Sequence, residues 1–199
     1  MLKRAFDVLF AAAVLLLLSP LLLGVAAWIR LDSRGPVLFR QLRVGRGAKT
    51  FRFRKFRTMY VDAERRGPQI TVGRDPRITR AGHFLRKYKI DEFPQFINVL
   101  VGDMSVVGPR PEVPRYVAMY PPATRDLVLS VRPGITDLAS IEYRDENELL
   151  GRSADPERTY VEQVMPAKLA YCERYVQERS FAGDIGIIGR TIAASFVNR

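Results

Sequence analysis

The chain has 199 residues, 47% hydrophobic and 27% charged, which allows one domain with a real core, or a smaller one plus a membrane segment, and makes two full domains a squeeze. Its 32 Lys and Arg against 21 Asp and Glu leave a net charge of +11, so an acidic partner is expected: nucleic acid, anionic lipid headgroups or phosphorylated small molecules. The single Cys172 and the single His83 exclude an internal disulfide framework and a Cys/His zinc site, and both read as packing or surface residues.

The first element is the apolar run "AFDVLFAAAVLLLLSPLLLGVAAWI", Ala5 to Ile29, in which Asp7 is the one ionisable residue. As a single helix it would extend about 37 Å at about 1.5 Å per residue, enough for hydrocarbon about 30 Å thick. Lys3 and Arg4 precede it, and Arg30, Arg34, Arg40, Arg43 and Arg46 follow, so both ends look cytoplasmic under the positive-inside rule. Pro20 removes a backbone donor and clashes with the carbonyl of Leu16, which predicts a bend, and the Ser19 hydroxyl can serve a freed carbonyl one turn back. Two arrangements stay open on these residues: a hairpin that enters and leaves by one face, and a kinked span. A cleaved signal peptide is disfavoured by the length of the run and the basic stretch after it, and a buried soluble helix by its apolarity on all faces.

Residues 35 to 59, "GPVLFRQLRVGRGAKTFRFRKFRTM", alternate apolar and basic side chains around "GRG" and predict a short β-hairpin, either solvated or set at the headgroup boundary. Residues 63 to 82 read as a polar, turn-rich loop region. In "HFLRKYKIDEFPQFINVLVGDM" helical spacing is interrupted by Pro94, with Phe93, Phe96, Ile97 and Leu100 able to share an apolar face. "VVGPRPEVP" and "VRPGIT" read as stiff Pro/Gly loops. Asp155-Pro156-Glu157 predicts a helix start running towards Glu178, and Ser180 a cap for a last helix through "IGIIGRTIAASFV".

No P-loop appears, and one histidine leaves little room for a Ser-His-Asp or Cys-His arrangement. Chemistry concentrates in "RKYKIDEFPQ", where Asp91 and Glu92 follow Arg86, Lys87 and Lys89 and precede Pro94. A helix start and nearby cations would keep such an Asp ionised. An ionised carboxylate can attack phosphorus and split a transfer into two displacements, while its neighbour could hold Mg²⁺. The plainer reading of the pair is a helix cap with a solvated neighbour.

The stretches "FRKFRTM", "RITRAGHFLRKYKIDEFPQFINVLVGDMSVVGPRPE" and "VRPGIT", in that order after a hydrophobic segment with Ser-Pro, resemble the bacterial sugar transferase family, the small monotopic phosphoglycosyl transferases, over nearly the whole chain. The resemblance implies transfer of a sugar 1-phosphate from a nucleoside diphosphate sugar, usually UDP-linked, to polyprenol phosphate, with release of UMP. It implies Asp91 as covalent nucleophile, Glu92 as its partner in holding Mg²⁺ or activating the acceptor, and Arg86, Arg110, Lys55 and Arg57 as phosphate-binding cations. It also implies an α+β, mainly helical fold. Residues 1–34 would form a re-entrant membrane helix broken at Ser19-Pro20, and residues 35–199 a catalytic domain on the cytoplasmic face of the bacterial inner membrane, held partly by anionic lipid.

One segment departs from the family pattern. After "VRPGIT" many relatives continue in the manner of "LAQVNGR", whereas residues 137 to 151 read "DLASIEYRDENELLG". Arg144 matches the family arginine in a far more acidic setting, which leaves the donor sugar open; the segment is either a recognition element or a solvated acidic helix start. Asp184 matches a family acidic position and could orient an arginine. The competing class is a membrane-tethered nucleic-acid-binding or regulatory protein using "RVGRGAKTFRFRKFR" as its contact surface, a reading that gives the dyad no role.

Overall fold

The computed structural model describes residues 1–67 and 75–197, so residues 68–74 of the turn-rich stretch lie outside the described residues. The fold is mostly helical. Two helices, α1 (Leu2–Leu17) and α2 (Ser19–Asp32), meet at Leu18 with a bend of 63°. The cause is the one predicted: Pro20 stands in the first turn of α2, and the Ser19 hydroxyl donates to the Leu16 carbonyl at 2.8 Å. Among the described residues no single helix is long and apolar enough to cross a membrane, although the bent pair together has the length and composition.

The start of α1 is fastened to the rest of the chain by polar bonds. Asp7, 2% exposed, accepts from the Ser105 hydroxyl at 2.8 Å and from the Val106 N–H at 3.0 Å. Arg4 donates to the carbonyls of Val99 and Leu100 at a helix C-terminus, where cations are favoured. Lys3 pairs with the buried Asp184, which also accepts from the Tyr175 hydroxyl at 2.9 Å, so Asp184 serves a lysine and a tyrosine where the sequence suggested an arginine. Beyond these first turns Leu16, Leu17, Leu21 and Leu23 are exposed on the bent pair.

The predicted hairpin forms from β1 (Leu38–Val44) and β2 (Thr50–Phe56), antiparallel, with Leu38 opposite Phe56 and Val44 opposite Thr50. Its Phe51, Phe53 and Phe56 are buried. The helix α3 (Arg80–Lys87) starts inside the stretch read as loop, with the Thr79 hydroxyl accepting from the Gly82 N–H. Then α4 (Gln95–Val101) buries Phe96 of the predicted face together with Gln95, Asn98 and Val99, Phe93 packs half-buried against the same core, and Leu100 is exposed. Asn98 earns its burial: its amide accepts from the Arg54 N–H and donates to the Arg52 carbonyl and to Asp103.

The two stretches read as loops carry β3 (Ser105–Val107) and β4 (Gly134–Thr136), a short parallel pair. They approach so closely that a Cβ on Gly134 would lie 2.1 Å from the Gly108 nitrogen, so glycine is required there. Next comes α5 (Leu138–Glu142), capped by Asp137, whose carboxylate accepts from the Ser140 N–H. The helix predicted from Asp155 starts with that cap at Pro156–Thr159, passes through a π turn over Tyr160–Val164 and continues as α6 (Met165–Glu178). Pro166 lacks an N–H, and a re-registered turn before it absorbs the missing bond. Ser180 starts α7 (Phe181–Val197) as expected, its hydroxyl accepting from the Gly183 N–H.

Three hydrophobic clusters hold these elements together among the described residues. Ala11 of α1 packs with Phe53, Phe96, Val99 and Ile187, and Val25 and Ile29 of α2 pack with Phe56 and Leu85. The third cluster joins Tyr116, Leu150, Tyr160 and Leu169. The bent pair therefore shares its core with the hairpin and with α3 and α4, which fixes the cleft between them.

Candidate active site

Asp91 and Glu92 occupy a single 3-10 turn, Ile90–Glu92, between α3 and α4. Lys89 enters it with φ +57°, a left-handed conformation that turns the chain sharply. The turn opens on a cleft of about 1970 Å³ that runs from Phe10, Val14 and Leu21 on the bent pair to Glu146 and Lys168.

The two acids sit in opposite environments. Glu92 is bound by the Arg110 guanidinium through both oxygens, at 3.1 and 2.5 Å. Burial alone would raise Glu92, yet the charge and hydrogen bonds of Arg110, with Lys89 and Lys55, hold it down to about 2. Asp91 is 5% exposed, and its Oδ1 has no hydrogen-bond partner among the described residues. Burial pushes its carboxyl up, and the neighbouring Glu92 charge adds to this, while Lys55, Arg86 and Lys89 oppose it. The cations expected to keep Asp91 ionised are in place, but desolvation outweighs them. Environments that drive a pair of acids apart assign them different work.

Three of the other predicted cations face this dyad. Arg110 is itself fixed through its backbone N–H, which donates to Asp137 at 3.0 Å. Arg86 donates through Nε to the Thr58 hydroxyl at 2.9 Å. Lys55 lies over the Phe39 ring at 5.5 Å, and burial pushes it down to about 8 against the pull of Asp91. Arg57 and Arg144 also line the cleft, with terminal nitrogens engaged elsewhere. Arg57, 4% exposed, gives its terminal nitrogens to the Arg34 carbonyl at 3.0 Å and to the Ser33 carbonyl and hydroxyl at 2.6 and 2.9 Å, beyond the end of α2. Arg144 donates to the Ala194 carbonyl of α7.

Several cleft residues were not singled out from the sequence. The buried Asp75–Arg77 pair, with Arg77 on the wall, sits in the stretch read as loop. Thr58, which holds Arg86, follows Arg57 directly, and nothing in the basic run separates a positioning hydroxyl from a surface one. Tyr160 and Lys168 stand eight residues apart, a spacing that puts them on one helical face.

No group of three or more acidic, His or Cys side chains converges among the described residues. A divalent ion at the dyad would have at most Asp91 and Glu92 from the protein, with phosphate and water completing the shell. Mg²⁺ accepts that pattern, and the buried, unpartnered Asp91 Oδ1 fits it.

The sequence model of the bacterial sugar transferase family matches residues 1–198. The chain belongs to this family. Among its relatives, UDP-glucose:undecaprenyl-phosphate glucose-1-phosphate transferase of Escherichia coli is 38% identical over 100% of this chain and 41% of its own length. UDP-N-acetylgalactosamine-undecaprenyl-phosphate N-acetylgalactosaminephosphotransferase of Aeromonas hydrophila is 39% identical over 96% of this chain and 42% of its own. Exopolysaccharide production protein ExoY of Sinorhizobium fredii is 32% identical over 99% of this chain and 86% of its own length. The chain thus spans about two fifths of the first two relatives.

Proposed function

We propose that this chain transfers a sugar 1-phosphate from a UDP-sugar to polyprenol phosphate through a covalent intermediate on Asp91. The observation that carries the reading is the divided dyad: an acid with a free, buried oxygen beside an acid whose two oxygens are locked by arginine. In the first half-reaction an Asp91 carboxylate oxygen attacks the β-phosphorus. The bond from that phosphorus to the bridging oxygen breaks, and UMP leaves with the oxygen. In the second, an oxygen of polyprenol phosphate attacks the same phosphorus and the Asp91–phosphorus bond breaks, which regenerates the carboxylate and yields a polyprenol diphosphate sugar. Arg110, Arg86 and Lys55 offset the charge of the diphosphate. Mg²⁺ held at Asp91 and Glu92 would supply further charge neutralisation on the phosphate oxygens.

The acceptor imposes a location. A polyprenyl chain stays in lipid, so the dyad has to work at headgroup depth, and the cleft reaches the bent pair at Val14, Leu18 and Leu21. We therefore read α1 and α2 as a re-entrant segment in the cytoplasmic leaflet of a bacterial inner membrane, with the basic excess contributing adhesion to anionic lipid of about 1 kcal/mol per well-placed cation. The nucleic-acid reading loses its main support in the hairpin, because Phe51, Phe53 and Phe56 are buried and offer no faces for base stacking.

The test is UMP release from UDP-sugars by the membrane-reconstituted chain with undecaprenyl phosphate, with and without chelator. Metal-dependent release is expected. Absence of release with every donor, joined to salt-sensitive binding of RNA or DNA, would replace this reading with the competing one.

A further inference from the structure

Overall similarity does not choose the donor sugar, since relatives named for glucose and for N-acetylgalactosamine are 38% and 39% identical to this chain. The choice has to rest on a few side chains near the phosphate. From Arg110 a continuous line of polar contacts runs along one wall of the cleft. Pro111, next in the chain, accepts from Arg43 Nη1 at 2.9 Å, and the same nitrogen stands 3.6 Å from Glu112. Glu112 accepts from the Tyr160 hydroxyl at 3.0 Å. The Lys168 ammonium lies 5.6 Å from the centre of the Tyr160 ring and pairs with Glu146 at 2.7 Å. Arg43, Glu112, Tyr160, Lys168 and Glu146 all line the cleft.

We infer that this wall, and above all the Glu146–Lys168 pair, reads the hydroxyl pattern of the donor sugar. The inference rests on the transferase reading above and goes beyond it by assigning specificity. Sugar hydroxyls both donate and accept, and the wall alternates carboxylates that accept with ammonium, guanidinium and phenol groups that donate. Each charge is paired and half-buried: Lys168 and Glu146 side chains are 17% and 25% exposed. A paired site can lend a lone pair or an N–H to a neutral ring without leaving a naked charge behind. The position also suits the sugar better than the other substrate parts. The sugar stays on the β-phosphorus through both half-reactions, and the wall is contiguous with Arg110, which grips Glu92 next to Asp91, the residue proposed to attack that phosphorus. A polyprenyl chain needs the apolar side at Phe10, Val14 and Leu21, away from these charges. The acidic segment 137–151 thereby gains its role through Glu146, and Tyr160 and Lys168 meet it from the helix that contains the π turn.

The experiment compares kcat/KM for UDP-glucose, UDP-galactose, UDP-N-acetylglucosamine and UDP-N-acetylgalactosamine in the wild-type chain, Glu146→Gln, Lys168→Met and Tyr160→Phe, with UMP inhibition measured alongside. Each of the first two variants should change the ratio between at least two donors fivefold or more and leave UMP inhibition within threefold. Tyr160→Phe removes one hydroxyl and keeps the packing, so it should shift the same ratio even if an ion-pair variant folds poorly. Equal loss for all donors, a smaller change in ratio, or a UMP shift matching the donor loss would overturn the wall as a sugar reader. No UMP from any donor with the wild-type chain would instead sink the transferase reading, and the wall with it.

Discussion

Removing Arg110 tests the division of labour in the dyad. Arg110→Met keeps much of the side-chain volume and leaves Glu92, whose side chain is 18% exposed, without its bidentate partner. Glu92 is held at about 2 against an ordinary value of 4.5. At about 1.4 kcal/mol per pH unit that displacement, the net of burial against Arg110 with smaller help from Lys89 and Lys55, corresponds to about 3 kcal/mol at neutral pH. Water reaches Arg110, a third of whose side chain is exposed, and screening brings the expected loss to about 2 kcal/mol. For a chain of this size that lowers Tm by about 4–8 °C. Because the folded value lies below the unfolded one, the stabilisation is complete above 4.5 and disappears as pH falls towards 2. Denaturant melts of the detergent-solubilised protein between pH 7 and pH 3 should therefore show the gap between wild type and variant narrowing. A cycle with Glu92→Gln should return a coupling of about 2 kcal/mol. A gap that does not change with pH, or a coupling near zero, would refute the assignment of Arg110 as the group that fixes Glu92.

Three further outcomes follow from the same geometry. Arg57→Gln removes bonds to Ser33 and Arg34 and should cost about 1–2 kcal/mol of stability with donor KM nearly unchanged; a tenfold rise in KM at full stability would make Arg57 a substrate ligand instead. Lys55 is charged below about 8, so donor kcat/KM should fall as pH rises through that value, and Lys55→Arg, which stays protonated, should remove this limb; a limb that persists would acquit Lys55. Leu2→Cys and Arg34→Cys should be labelled from the same side of sealed vesicles, with the buried Cys172 as a quiet background, and Ser19→Ala/Pro20→Ala should send them to opposite sides; opposite sides without the double substitution would exclude re-entry.

How far the sequence carried these conclusions depended on whether the cause was local. The bend at Ser19-Pro20 and the caps at Asp155 and Ser180 each rest on residues within a turn of one another, and the hairpin on two alternating strands joined by residues 45–49, so all of these were legible. The pairing of β3 with β4 was not, because strands of three residues give no period and the partners are 29 residues apart. The inward face of α4 was legible at Phe93 and Phe96 but not at Asn98, which is tolerated inside because hairpin backbone waits for its amide. Arg57 and Arg86 look alike in their basic runs, and only the fold shows one fork spent on carbonyls and the other facing an acid. The dyad itself stood out, but its asymmetry depends on Arg110, which lies 18 residues away.

The central claim is that Asp91 carries the sugar phosphate. Intact-protein mass spectrometry after incubation with UDP-sugar and Mg²⁺, without acceptor, tests it most directly. The account predicts a mass gain equal to the sugar phosphoryl group, mapped to Asp91, lost on addition of undecaprenyl phosphate and absent from Asp91→Asn. Turnover without such an adduct, or an adduct that survives in Asp91→Asn, would contradict it.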